Sequence, residues 1–149
     1  HLYYGAKKVF WYEMADEPFG PNNPESFFGI LRFNESLSVK PSAVAFSNMV
    51  NNYRHAIPVG KYVGQSYGFA YDNQGKNQLC LWTEKDSKEE TLYLPNTKKV
   101  NVTDIFGRVQ QLKVLNGKVI ITIGYLPITI TGFDQDDFTG LYAPRKVVK

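Results

Sequence analysis

Apolar positions along this chain follow two rhythms, and the change falls near Pro58. Before it, Val9-Phe10-Trp11-Tyr12-Glu13 is a nearly continuous apolar run of residues that favour strands. Continuous rather than alternating apolarity fits burial on both faces, as in a parallel strand covered by helices. A strand is therefore predicted over residues 8–13. Asp16 to Ser26 holds Pro18, Gly20, Pro21, Asn22, Asn23 and Pro24, which makes it a loop. Pro41 suits the first turn of a helix, and Val39, Ala43, Phe46, Val50 and Tyr53 recur at helical spacing. The helix is predicted over residues 41–54. His1 to Gly5 reads as the tail of a preceding helix closed by a glycine. Residues 1–58 thus make one βα unit.

After Pro58 the pattern turns to short segments broken by Gly, Asn, Asp and Pro. Strands are predicted at Tyr62–Tyr71, Gln78–Thr83, Glu90–Leu94, Lys99–Thr103, Gln110–Leu115, Lys118–Ile123 and Ile128–Thr131. Asp72-Asn73-Gln74-Gly75 and Leu115-Asn116-Gly117-Lys118 are hairpin signals, because a type I′ turn needs positive φ at both central residues. Many short strands at this spacing predict an antiparallel sandwich over residues 59–132. The stretch 133–149, Asp-rich and then basic, is expected to be irregular. The fold class is mostly β, with the sandwich behind one βα unit.

Composition narrows the function classes. The chain has 149 residues, 43% of them hydrophobic and 15% aromatic, enough for a substantial core. A complete (β/α)₈ barrel needs roughly 200 residues or more, so none fits. No apolar run approaches the roughly 20 residues of a membrane helix, so no membrane partner is expected. The net charge of +3 is spread rather than massed, which gives no nucleic-acid footprint. Cys80 is the single cysteine, so an intrachain disulfide and a Cys-based zinc site are both excluded. His1 and His55 lie far apart without further ligands nearby, and neither a metal nor another cofactor is expected. The chain opens at His1 with no leader-like stretch behind it, as expected of a processed product or a fragment.

The order of the pieces carries more than any one of them. Lys8-Val9-Phe10-Trp11-Tyr12-Glu13, then Asp16, then Phe28-Gly29-Ile30-Leu31, then Lys40-Pro41-Ser42-Ala43 heading a helix, resembles the eighth strand and eighth helix of clan-A glycoside hydrolases. The β region agrees. Leu79-Cys80-Leu81-Trp82, Val102 to Gly107, Asn116-Gly117 and Leu126 to Gly132 are similar to the C-terminal β-sandwich of xylosidase-like members. The resemblance covers residues 5 to 132.

That resemblance implies the C-terminal part of a secreted glycoside hydrolase, acting on a carbohydrate through a complete barrel. Such enzymes cut with two carboxylates, which in this clan follow the fourth and seventh strands. Both are then expected upstream of His1, and none in this chain is assigned as catalytic. The eighth strand is expected to supply sugar binding at the C-terminal rim of the barrel. Trp11 is implied as a stacking platform, with Glu13 and Asp16 accepting hydrogen bonds from sugar hydroxyls. A buried parallel strand needs neighbours on both sides. The strand is therefore expected to pair with the missing barrel portion as a separate chain, to swap into a neighbour, or to be annexed by the sandwich. A reading of another class is a non-catalytic β-sandwich that binds carbohydrate or protein through exposed Tyr and Phe.

Smaller signals complete the reading. Asn34-Glu35-Ser36 and Asn101-Val102-Thr103 are glycosylation sequons, with Asn34 the more exposed expectation. Asp134-Gln135-Asp136-Asp137 lacks the spacing of a calcium loop and reads as a solvated acidic turn. Cys80 and Trp82 are expected together in the sandwich core, and Glu84 to Glu90 as a polar loop without a site.

Overall fold

The computed structural model describes residues 2–145 apart from Lys7, Val9 and Pro21. In chain order its regular elements are α1 (Pro41–Tyr53), β1 (Ala56–Tyr62), β2 (Tyr67–Asn73), β3 (Lys76–Trp82), β4 (Lys88–Tyr93), β5 (Lys99–Thr103), β6 (Val109–Lys113), β7 (Lys118–Ile123), β8 (Ile128–Thr131), α2 (Gln135–Thr139) and β9 (Tyr142–Pro144). Short 3-10 turns at Leu2–Tyr4 and Pro24–Phe27 precede them. Seven strands form one antiparallel sheet in the order β6-β5-β8-β3-β2-β1-β9, and β4 pairs with β7 in a second.

The two sheets enclose one core because alternate residues of each strand face the same way. Ala70 of β2 pairs with Leu79 of β3, Leu79 with Ile130 of β8, and Ile130 with Val102 of β5. That row meets Leu92 of β4 and Val119, Ile121 and Ile123 of β7. The expected sandwich is present, and it reaches further in both directions along the chain. β1 begins at Ala56, ahead of the expected edge at residue 59, where no strand was expected before Tyr62; Val63 to Ser66 turn the chain, so the expected strand Tyr62–Tyr71 is present as β2 from Tyr67 onward.

The tail expected to be irregular is folded through residue 145, the end of the described part. Phe138 of α2 is only 1% exposed and packs against Phe133 and Tyr142 at ring distances of 5.6 and 5.2 Å. Asp134 caps α2 by accepting from the Asp136 N–H at 2.9 Å. Asp137, expected on a solvated turn, is buried. It accepts from the Thr97 N–H and hydroxyl at 2.7 Å each and from the Asn96 N–H at 3.0 Å. An acidic run was readable, but the apolar Phe138 behind it turns the run inward.

Both turn signals fold as type I′ pairs, with positive φ at Gln74 (55°) and Gly75 (79°), and at Asn116 (52°) and Gly117 (70°). The first closes the β2–β3 hairpin. The second is a two-residue reversal pinned by a Leu115–Lys118 bridge, after which β6 and β7 part into different sheets.

The outer face of the large sheet is where Cys80 and Trp82 lie, opposite Leu79 and Leu81. They were expected in the core, but the period of two puts the leucines there instead. Trp82 stacks near Tyr67 and Phe69 at 6.0 and 5.6 Å, and Tyr3 lies on Phe69 at 4.5 Å. The end of α1 covers the same face. Tyr53 and the Thr129 hydroxyl share a 2.6 Å hydrogen bond, and the Tyr53 ring meets Tyr71 edge-on at 5.1 Å. Asn52 O accepts from Asn73 Nδ2 at 2.7 Å, and Asn48 Nδ2 donates to Ile105 O at 3.2 Å.

No strand forms over residues 8–13 among those described; Val9 itself lies outside them. What forms is smaller: a parallel bridge between Ala15 and Leu31 and an antiparallel one between Leu31 and Val39. A lone strand gains no ladder bonds without neighbours, and no described strand stands beside this run. Likewise α1 buries none of its residues fully, leaving Val39 and Val50 of the expected apolar face exposed.

Candidate functional site

Of the residues singled out for sugar contact, Asp16 sits in a largely shielded ion pair of the front segment. Asp16, only 9% exposed, accepts from the Gly29 N–H at 3.1 Å and from Lys40 Nζ at 2.6 Å, both on Oδ1. Lys40 Nζ also donates to Phe27 O at 2.9 Å. A side chain at position 29 would put Cβ 2.2 Å from the Ala15 carbonyl carbon, so the approach requires glycine. Backbone bonds from Asp16 N to Leu31 O (2.9 Å) and from Leu31 N to Met14 O (3.0 Å) continue the clasp. Gly29 and Lys40, two pieces of the front-segment motif, are thus the partners of Asp16.

Trp11 and Glu13 lie outside the clasp. Trp11 is 50% exposed; its Nε1 donates to Phe28 O at 3.3 Å, and its ring meets Phe46 of α1 at 5.7 Å. Glu13 is half-buried, and its main-chain oxygen accepts from Ile30 N at 3.2 Å. The peptide between Tyr12 and Glu13 is cis. Around them Phe10 (86% exposed), Tyr12, Met14 and Phe28 present apolar surface outward. The clasp therefore fixes a loop base whose outer side is aromatic.

Glu90 is expected from the sequence at the junction of a polar loop and the strand that follows it. It is buried on the core face of β4, in phase with Leu92 and Leu94. The alternation Glu90-Thr91-Leu92-Tyr93-Leu94 was the available signal. Its carboxylate accepts from Tyr62 Oη at 3.0 Å, Gln65 N at 3.1 Å and Ser66 Oγ at 2.6 Å, with Lys88 Nζ 4.0 Å away. Burial alone would raise its pKa, but the bonds from Ser66, Gln65 and Tyr62 and the Lys88 charge hold it below the usual glutamate value. Tyr62 moves the other way: burial first, then the Glu90 charge, raises its phenol.

Beneath α1, burial raises the Tyr53 phenol, the proximity of Cys80 adds to the rise, and the Thr129 bond opposes it. Burial also raises the Cys80 thiol, against a bond from Tyr53. The sequon residues differ. Asn34 is exposed, yet its side chain is bonded to Ser38 Oγ at 2.7 Å and Ser38 N at 2.9 Å. Asn101 lies within β5 and accepts from Gln111 Nε2 at 3.1 Å. Among the described residues no group of three or more His, Cys, Asp or Glu is placed to hold a metal ion. Nor is any described helix long and apolar enough to cross a membrane.

The architecture has a counterpart among solved structures. A family 39 glycoside hydrolase from the gut symbiont Bacteroides cellulosilyticus WH2 matches with a TM-score of 0.71 and 24% sequence identity. The fold is shared. The match takes in 83% of this chain and 26% of that chain, so this chain spans about a quarter of that enzyme's length. No family model and no curated protein matches the sequence.

Proposed function

We propose that this chain is the C-terminal portion of a secreted, xylosidase-like glycoside hydrolase. It would contribute a structural sandwich and part of the sugar-binding wall. The observation that carries the reading is the match of most of this chain to a quarter of a glycoside hydrolase. The exposed Phe10, Tyr12, Met14 and Phe28 support it, since apolar residues massed in one segment mark surface that further polypeptide covers. That covering polypeptide is the barrel portion, joined in the same chain, supplied separately or swapped from a neighbour.

Within this reading Trp11 is the platform for a pyranose face, and Glu13 accepts hydrogen bonds from its hydroxyls. Asp16 acts at one remove. Its Oδ1 is taken by Gly29 and Lys40, so it holds the base of the loop on which Trp11 and Phe28 meet. The catalytic carboxylates belong to the barrel portion. Those buried here, Asp16, Glu90 and Asp137, are each occupied by donors of the chain itself.

The test compares the 149-residue chain with the polypeptide expressed together with its upstream coding sequence, using aryl xylosides. Turnover is expected only from the longer form, with Trp11→Ala lowering kcat/KM about 10- to 100-fold, the loss of roughly 1–3 kcal/mol of contact. Turnover by the 149-residue chain that Glu13→Gln abolishes would overturn it, as would a longer form without glycosidase activity. Glycan binding by the isolated chain, indifferent to Trp11→Ala, would favour a binding module instead.

A further inference from the structure

Among the described strands β4 has one partner. It is bonded to β7 along one side, and its other side opens onto a groove of about 670 Å³. Which backbone groups face that groove follows from a single bond. The Leu94 N–H donates to Gly117 O at 2.7 Å, so residue 94 points toward β7. Main-chain direction alternates along an antiparallel strand, and the β4–β7 register runs without a bulge. Lys88, Glu90 and Leu92 therefore point toward β7 as well, whereas Glu89, Thr91 and Tyr93 turn their N–H and C=O groups to the groove. All three line it, and no hydrogen bond from another described residue reaches their main chain.

The far wall is the stretch Val63 to Gln65 together with α2 and its exit. Glu90 ties the two walls at their base by gripping Tyr62, Gln65 and Ser66 while sitting in β4. The lining carries four carboxylates, Glu89, Glu90, Asp136 and Asp137, in a chain of net charge +3. Of the described cations that touch the lining, Lys88 is held by Gln65 O beside Glu90, and Lys118 lies over the Tyr93 ring. Glu90 and Asp137 spend their charge on internal donors. Glu89 and Asp136, both exposed, make no side-chain hydrogen bond to another described residue and line the groove.

We propose that the free edge of β4 is a docking site for an extended, cationic peptide segment that adds to the small sheet as a third strand. Open strand edges are templates for such pairing. The groove-facing groups recur every second residue, about 6.6–6.8 Å apart, which is the repeat of another strand and not of a glycan. Carboxylates at Glu89 and Asp136 then select Lys or Arg side chains, which an incoming strand projects at the same interval. This site is remote in sequence from Trp11 and does not depend on the glycosidase reading.

The experiment titrates the whole chain against fluorescein-labelled acetyl-Lys-Val-Lys-Val-Lys-amide, followed by fluorescence anisotropy at low salt. Saturable binding is expected, weaker at about 0.3 M salt because exposed charges are screened. Thr91→Pro removes one groove-facing N–H, at an edge position where proline is tolerated, and is expected to weaken binding about tenfold. The pair Glu89→Lys and Asp136→Lys should do the same without touching the core, which keeps the test alive if Thr91→Pro does not fold. A peptide N-methylated at alternate residues keeps its charge and is expected not to bind. Equal binding of the N-methylated peptide would reduce the effect to charge alone and overturn the proposal. So would wild-type affinity in the variants, absence of binding at millimolar peptide, displacement by xylohexaose, or self-association of the chain that Thr91→Pro abolishes.

Discussion

Asp16 and Lys40 stand 24 positions apart in sequence and 2.6 Å apart in space, and their pairing draws the front loop closed over Gly29. Both side chains are largely shielded, so neither charge is matched by water once the other is gone. Lys40→Met is expected to cost about 2–4 kcal/mol, the range for a charged group left without its partner. The double variant Asp16→Asn, Lys40→Met should recover part of that loss, because an amide oxygen at position 16 still accepts from Gly29 without carrying a charge. Urea unfolding followed by Trp fluorescence measures both. A double variant no more stable than the worse single would contradict the pairing.

Glu90 supplies a pH dependence with a definite sign. Its folded pKa is depressed, so its contribution is fully present above the unfolded value of about 4.3 and disappears as pH falls through the lower folded value. Unfolding free energy should therefore decline on acidification below about pH 5, and Glu90→Gln should flatten that decline while lowering stability near neutral pH. An unchanged acid limb in the variant would assign the decline to other carboxylates.

Cys80 should be chemically quiet. With the thiol raised by burial and bonded to Tyr53 beneath α1, little thiolate is present near neutrality. Labelling by a disulfide reagent should be slow in buffer and fast in denaturant. Tyr53→Phe removes the hydroxyl that reaches Thr129 and should cost about 1 kcal/mol while accelerating the labelling. Rapid labelling of the wild type would show that the helix end does not stay seated.

Phe138 makes the tail part of the core. Phe138→Ala is expected to cost about 3–5 kcal/mol, comparable with a large truncation in the middle of the sandwich. Thermal unfolding would display it as a lowered midpoint of one transition. A separate early transition for residues 133–145 would mean that the tail packs on but does not hold.

What was legible in the sequence, and what was not, divides along physical lines. Alternation found seven of the nine described strands, most of them with one dry face, and missed β1 and the short β9; the Gln74-Gly75 and Asn116-Gly117 turns were readable because positive φ restricts the choice of residue. Glu90 and Asp137 depart from expectation for a common reason: a carboxylate in a polar run usually marks solvent, but enough donors can bury it. The strand expected at residues 8–13 had the right composition and no described neighbour to pair with. For the candidate site, order along the chain pointed to Trp11, Glu13 and Asp16. Only distances could show that Asp16 turns inward to Lys40 while Trp11 stays at the surface.

The reversal at Asn116-Gly117 sends β6 and β7 to different sheets, and this has a kinetic meaning. β2 and β3 can zip from their own turn, since Asn73 meets Lys76. β7 has no such local mate. Its partner β4 lies 25 residues back at the nearer end, Tyr93 to Lys118, so a sizeable chain loop must close before their first bond is made. The rate of folding should then depend on such closures, this one and the longer one that brings Leu81 to Ile128, since distant pairings bear their entropy cost before any contact rewards it. A stiffer connection between β4 and β5, rather than a better β2–β3 turn, is the change that would speed this chain's arrival at its native form.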